Sequence, residues 1–284
     1  MNNFFKSNKI KEPNFCFIAP TEYLNTYSTQ SKTHLVLAHL VETDIKYRDF
    51  YYNRSKKGDI IMMDCSAFEL GESYPPLELV RLAKLCGAHS VVLPDYPFQH
   101  SSKTINAGLA IIDTVIDAGF SPFFVPQSET NDLEDWISSY EWASNNPNIS
   151  IIGMSILGIP NAIPHIPKAY ARVVMTQLLI DRGIFNFNKY HHYLGLNSAP
   201  NVELPSLIAL NALDSCDSSN PIWCGINGWK YNTTQTDYSP FNKKLLREVD
   251  FAQHYSNHEH IHAIIQHNVD ITKDIINNHT NYIN

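Results

Sequence analysis

Short apolar runs rich in β-branched and aromatic residues alternate along this chain with longer stretches whose apolar positions recur every three or four residues. That alternation is the pattern of parallel strand–helix units. Eight runs read as strands: Phe15 to Pro20, Thr33 to Val41, Asp59 to Asp64, Ser90 to Asp95, Pro122 to Gln127, Ile149 to Ser155, Tyr193 to Asn197 and Leu213 to Ser218. Most stay apolar until a polar residue at the C-terminal end. Between them, helices are predicted over Pro75 to Cys86, stopping at Gly87, and over Ser102 to Ala118, stopping at Gly119. Further helices are predicted over Asn131 to Ser144 with Asn131 as its cap, over Pro167 to Asp181 before Gly183, and over Glu203 to Asn211. One or two closing helices are expected over Phe241 to Asn278.

Eight strands in 284 residues match the size of a single (β/α)8 barrel. The expected organisation is a TIM-like barrel over residues 1–240, with a helical extension over residues 241–284 packed on it. In such a barrel the C-terminal strand ends share one rim, where catalytic groups gather. The rim residues are Asp64, Asp95, Gln127, Asn197 and Asp217, with the backbone of Gly153, Met154 and Ser155 beside them.

Composition narrows the setting. No apolar run approaches a membrane span, and the first residues lack a signal peptide's apolar core, so a cytoplasmic protein is expected. The five cysteines form no CxxC pair, which argues against a disulfide framework and a cysteine zinc site. A net charge of −7 is not a nucleic-acid footprint by itself; such binding requires the basic residues to gather on one face.

The most informative stretch is Leu213 to Lys230, LDSCDSSNPIWCGINGWK. On a strand, Asp214 and Asp217 lie three apart and face opposite sides, so only one enters a shared pocket. That one is a candidate nucleophile or base, although an Asx-turn ahead of Pro221 is the plain structural reading. Asp64, Asp95, Gln127, Phe68 and Leu194 have plain readings too, as helix caps, a loop residue, core and barrel packing. Chemically, two carboxylates suit cleavage of a glycosidic bond. A third beside a glutamine suits a guanine edge, whose two N–H donors one carboxylate accepts together.

At these positions the chain resembles the tRNA-guanine transglycosylase superfamily over roughly Ile60 to Asn227, and most closely its phage DpdA-type branch, whose members exchange guanine in DNA for a 7-deazaguanine. The family's DSGGFQ is matched by Asp64-Cys65-Ser66-Ala67-Phe68-Glu69. The resemblance makes Asp64 the general acid/base, Phe68 the aromatic stacked on the base, Asp95 and Gln127 the base readers, and Leu194 the apolar platform. Gly153, Met154 and Ser155 stand in the family's IGGLxVGE segment, and Asp217 takes the nucleophile's place, four before Pro221. Three departures accompany the match. The family's zinc cysteines are missing, since only Cys224 follows the nucleophile segment; Ile159 replaces the glutamate of VGE; and the arginine after the family's proline is absent. Loss of the zinc module favours DNA over tRNA.

The resemblance implies double displacement through a covalent Asp217 intermediate, with guanine-containing DNA and a free 7-deazaguanine base such as 7-cyano-7-deazaguanine as partners. It implies no cofactor, and a homodimer or an accessory protein fits it. Three alternatives stay open: a tRNA-directed enzyme, a non-catalytic nucleic-acid-binding subunit, and simple base hydrolysis. A metal-dependent reading requires the histidines His254, His258, His260, His262 and His267, or His39, His191 and His192 near the strands.

Overall fold

A computed structural model describes residues 5, 12–196, 200–232 and 259–283. Eight parallel strands form one sheet: β1 (Asn14–Phe17), β2 (Thr33–Leu37), β3 (Ile60–Asp64), β4 (Ser90–Val92), β5 (Ser121–Phe124), β6 (Ile151–Gly153), β7 (Tyr190–Tyr193) and β8 (Ser215–Ser218). Their order is β1-β8-β7-β6-β5-β4-β3-β2, and β1 lies against β2 at the seam, so the sheet wraps into a nearly closed barrel. The chain is therefore the (β/α)8 barrel expected from its alternation.

Register decides what fills the barrel. Leu35 pairs with Met62 and Met62 with Ser90; Val92 pairs with Phe123, Phe123 with Ile151 and Ile151 with Tyr190; His192 pairs with both Gly153 and Ser215. Side chains alternate across a strand, so these residues share the parity that faces the lumen, together with Cys16 and Asp217. Asp214 has the opposite parity, and its carboxylate accepts from the backbone N–H of His191 at 2.8 Å.

The ladders are shorter than the apolar runs. Pro94 and Pro126 have no N–H to give a neighbour, so β4 and β5 stop before them and Asp95 and Gln127 stand on loops just past the ladder. The second run changes state without a break, since Ala38–Thr43 is helix α1, burying Ala38, Leu40 and Val41. Helix α2 (Ile45–Lys56) follows, capped by Asp44 on the N–H groups of Lys46 and Tyr47. The seventh strand lies earlier than expected. Tyr190–Tyr193 carries the ladder, and Gly195 turns the chain away at φ +71°.

The remaining helices are α3 (Ala67–Leu70), α4 (Pro76–Cys86), α5 (Ser101–Asp117), α6 (Leu133–Asn145), α7 (Gly158–Ala162), α8 (Lys168–Asp181), α9 (Pro200–Ala209), α10 (Asn220–Ile226) and α11 (Glu259–Asn277). Asp132, not Asn131, caps α6, its carboxylate accepting from the N–H of Asp135, while Asn131 takes a left-handed φ of 62°. Helix α11 packs most heavily on α10, burying Ile264, Ile265, Val269, Ile275 and Ile276. A Cβ on Gly225 would sit 2.4 Å from Ile265 Cγ1, so the two helices cross where only glycine fits. The expected boundary at residue 240 lies outside the described residues. No helix among the described residues is long and apolar enough to cross a membrane.

Candidate active site

A cavity of about 840 Å³ opens at the C-terminal ends of the strands. Asp64, Asp95, Gln127, Ser155, Leu194 and Asp217, from six different strand ends, line it, joined by Glu69 and Trp223.

Asp217 is 5% exposed and held by two donors on one oxygen. His192 Nε2 lies 3.0 Å from Oδ1 and the backbone N–H of Gly195 donates to the same atom at 2.9 Å. Oδ2 makes no hydrogen bond among the described residues. Behind His192, Nδ1 lies 2.6 Å from Ser215 Oγ, and Phe123 packs edge-on at 5.7 Å.

Asp64 closes β3, and its Oδ2 accepts from the N–H of Ser66 at 2.9 Å. Ser66 holds a left-handed φ of 56°, which aims that N–H back at the carboxylate; His39 Nδ1, 3.0 Å from Ser66 Oγ, steadies the turn. Burial pushes the Asp64 carboxyl well above the usual range, and the charges of Glu69, Asp95 and Asp217 push it further. Burial raises Glu69 as well, with the charge of Asp217 behind it, although Glu69 stands at the exposed rim where water screens it.

Asp95 and Gln127 form one unit. Gln127 Nε2 donates to Asp95 Oδ2 at 2.7 Å, and the Cys65 thiol donates to Oδ1 at 3.1 Å. Ser73 Oγ accepts from the Asp95 N–H at 3.1 Å. Burial raises the Asp95 carboxyl, while Cys65, Gln127 and Ser73 pull it back down. Gln127 is 1% exposed and its Oε1 has no hydrogen-bond partner among the described residues. A fully buried acceptor left without a donor is costly to the fold.

The candidate residues do not all converge. Met154 is buried away from the cavity, its N–H donating to His192 O and its carbonyl accepting from Arg172 at 3.1 Å. Gly153 is also behind the wall. A Cβ there would meet Leu194 Cδ1 at 2.9 Å and Val125 Cγ2 at 2.8 Å, so glycine lets Leu194 seat at the cavity floor. Ser155 lines the cavity, but its Oγ accepts from the N–H groups of Leu157 and Gly158, starting α7. The side chain of Phe68, and Asn197, lie outside the described residues.

Three participants escape a reading of strand ends. Ser215 and His192 reach Asp217 from inside the barrel, and Arg172 on α8 fixes the loop after β7 from behind through the carbonyls of Leu194 and Gly195, both at 2.9 Å. A strand placed from Tyr190 would have put His192 on the lumen side.

Three of the candidate histidines, His191, His262 and His267, are engaged in packing and hydrogen bonds. His191 stacks on Phe185 at 4.2 Å and meets Tyr140 OH at 2.9 Å, outside the barrel. His262 pairs with Tyr27 OH at 2.6 Å, and His267 with the carbonyl of Tyr231 at 3.1 Å. His254 and His258 lie outside the described residues, and no group of three or more metal-ligating side chains occurs among those described.

Fold and site together define a (β/α)8 barrel with an acidic cavity at the C-terminal ends of its strands. No protein-family model matches the chain, and no curated protein matches it significantly.

Proposed function

We propose that this chain is a glycosyltransferase that exchanges guanine in DNA for a free 7-deazaguanine base, through a covalent Asp217 intermediate. One observation carries the reading. Asp64, Asp95, Gln127, Leu194 and Asp217, each assigned a role by motif, come from five separate strand ends to line a single cavity. A pocket of that volume suits one nucleoside unit.

In the first half-reaction a free oxygen of Asp217 forms a bond to C1′ of the deoxyribose as the C1′–N9 bond breaks. The electron pair leaves on N9, which takes a proton from Asp64. A carboxyl whose proton is held by burial and neighbouring charge is suited to that donation. In the second half, the carboxylate of Asp64 takes the N9 proton of the incoming base, N9 attacks C1′, and the bond to Asp217 breaks. Two inversions retain the anomeric configuration. The base must leave the helical stack to reach the cavity floor at Leu194. Its N1–H and exocyclic amine replace Gln127 and Cys65 as donors to Asp95, and the released Gln127 amide turns its NH2 toward O6.

DNA is favoured over tRNA because only Cys224 follows Asp217 in the sequence, leaving no cysteine set for the zinc module of the tRNA enzymes. The biological role that fits is phage DNA modification against host restriction.

The test is base exchange. Purified protein is incubated with duplex DNA, single-stranded DNA or tRNA plus 7-cyano-7-deazaguanine, and the digested nucleosides are measured by mass spectrometry. Deazaguanine in DNA, lost in Asp217→Ala, is expected. Incorporation into tRNA alone would move the substrate. An abasic product without incorporation would make the reaction hydrolysis, and no change in any polymer would leave a non-catalytic binding subunit.

A further inference from the structure

Asp217 is held unsymmetrically. Both of its donors, His192 Nε2 at 3.0 Å and the Gly195 N–H at 2.9 Å, converge on Oδ1, while Oδ2 has no hydrogen bond among the described residues. A carboxylate with equivalent oxygens rotates freely about its last torsion; two donors on one oxygen stop that rotation. The histidine is itself fixed. It is fully buried, its other nitrogen lies 2.6 Å from Ser215 Oγ, and Phe123 packs against its ring.

We infer that His192, oriented by Ser215, is a positioning residue that pins Oδ1 of Asp217 and thereby presents Oδ2 as the attacking oxygen. The inference rests on the transglycosylase reading of Asp217. The carboxylate can only accept, so a proton of this contact sits on Nε2; in the neutral ring Nδ1 is then an acceptor, to which the hydroxyl of Ser215 donates. The same three residue types in a hydrolase would make the serine the nucleophile. Here Ser215 is wholly buried inside β8 and does not line the cavity, so the chain of hydrogen bonds ends in the barrel and its working end is the aspartate. When the covalent intermediate forms, the bonded carboxyl loses its negative charge. The donors on Oδ1 stabilise the carboxylate more than the ester, so in the first half-reaction they serve to orient the attacking oxygen, and in the second they favour departure of the carboxylate.

The test uses the full-length protein and two variants. His192→Phe keeps a ring of similar size and removes the donor; His192→Gln restores an N–H near the position of Nε2. With wild-type exchange established, His192→Phe is expected to lower kcat on the order of 10²-fold at unchanged KM, the scale for loss of one preorganised donor. His192→Gln should recover most of the loss. Independently of activity, 15N NMR of histidine-labelled wild-type protein should show the His192 proton on Nε2. Folded His192→Phe exchanging at the wild-type rate, His192→Gln no better than His192→Phe, or a proton on Nδ1 alone would each overturn the relay while leaving the transglycosylase intact. Wild-type protein that exchanges no base in any polymer, with the proton on Nε2, would instead overturn the reading of Asp217 as nucleophile, and with it the relay's catalytic meaning.

Discussion

Replacing Arg172 by methionine tests the support beneath the site. The guanidinium is wholly buried and makes five hydrogen bonds: Nε and Nη2 to the Glu203 carboxylate, both at 2.6 Å, Nη1 to Met154 O at 3.1 Å and Leu194 O at 2.9 Å, and Nη2 to Gly195 O at 2.9 Å. Methionine fills much of the same volume but strands Glu203, which is also wholly buried, without a counter-charge. Breaking a buried pair by removing one partner costs about 3–5 kcal/mol. Water entering from the cavity relieves part of the loss at Leu194 O and Gly195 O, so the carboxylate dominates. Against the roughly 5–15 kcal/mol that holds a typical domain, this is a large fraction. The double variant Arg172→Met with Glu203→Leu should be more stable than Arg172→Met alone, because it removes the stranded charge. Urea denaturation followed by far-UV circular dichroism measures both. A single variant within about 1 kcal/mol of wild type, or a double variant less stable than the single, would refute the account, since neither is compatible with a desolvated charge left unpaired.

Two further outcomes are expected. Gly225→Ala should cost about 1–3 kcal/mol, the usual range for overpacking, because the new Cβ meets Ile265 Cα at 2.7 Å as well as its side chain; a melting temperature equal to wild type would show that α11 can slide off α10. Glu69→Gln should move the alkaline limb of base exchange to lower pH. In the proposed reaction Asp64 is protonated when guanine leaves, and it is raised first by burial and next by the charge of Glu69, so removing that charge lets the proton leave earlier as pH rises; a limb that stays put, or moves up, would remove Glu69 from the electrostatics of the acid.

The barrel was legible because parallel strands buried on both faces leave near-continuous apolar runs, and eight of them punctuate this chain. Their ends were less so. The run from Thr33 stays apolar through Val41 because α1 buries Ala38, Leu40 and Val41, so a change from strand to helix leaves no mark in hydropathy. The seventh strand was hidden for the opposite reason. Its histidines look polar, yet His191 is buried by rings of Phe185 and Tyr140 that no local pattern reveals. In the site, Asp64, Asp95, Gln127 and Asp217 were readable as polar residues interrupting apolar runs at the rim. Met154 was misplaced because its backbone groups are taken by His192 and Arg172, both distant in sequence. His192, named in the sequence only as a metal alternative, was not foreseen as a partner of Asp217 for the same kind of reason, since it meets Asp217 across a gap of 25 residues that only strand register closes.

Asp64, Glu69, Asp95 and Asp217 face one cavity, and each added negative charge makes the next ionisation harder. What holds these carboxylates is a set of donors: the N–H groups of Ser66 and Gly195, His192, Gln127, and the Cys65 thiol. Asp95 and Asp217 each receive two of those donors, whereas Asp64 receives one, from the Ser66 N–H, and bears the charges of three neighbours. Burial and the charges of Glu69, Asp95 and Asp217 hold the Asp64 carboxyl well above the usual range, which suits it to retain a proton. A base exchange consumes no net proton: it needs one acid that gives a proton to the departing base and recovers one from the base that arrives. In the proposed reaction a crowded acidic pocket with unequal donor support is suited to supply that single shuttling proton, and the crowding, otherwise a cost to the fold, would be the condition for the chemistry.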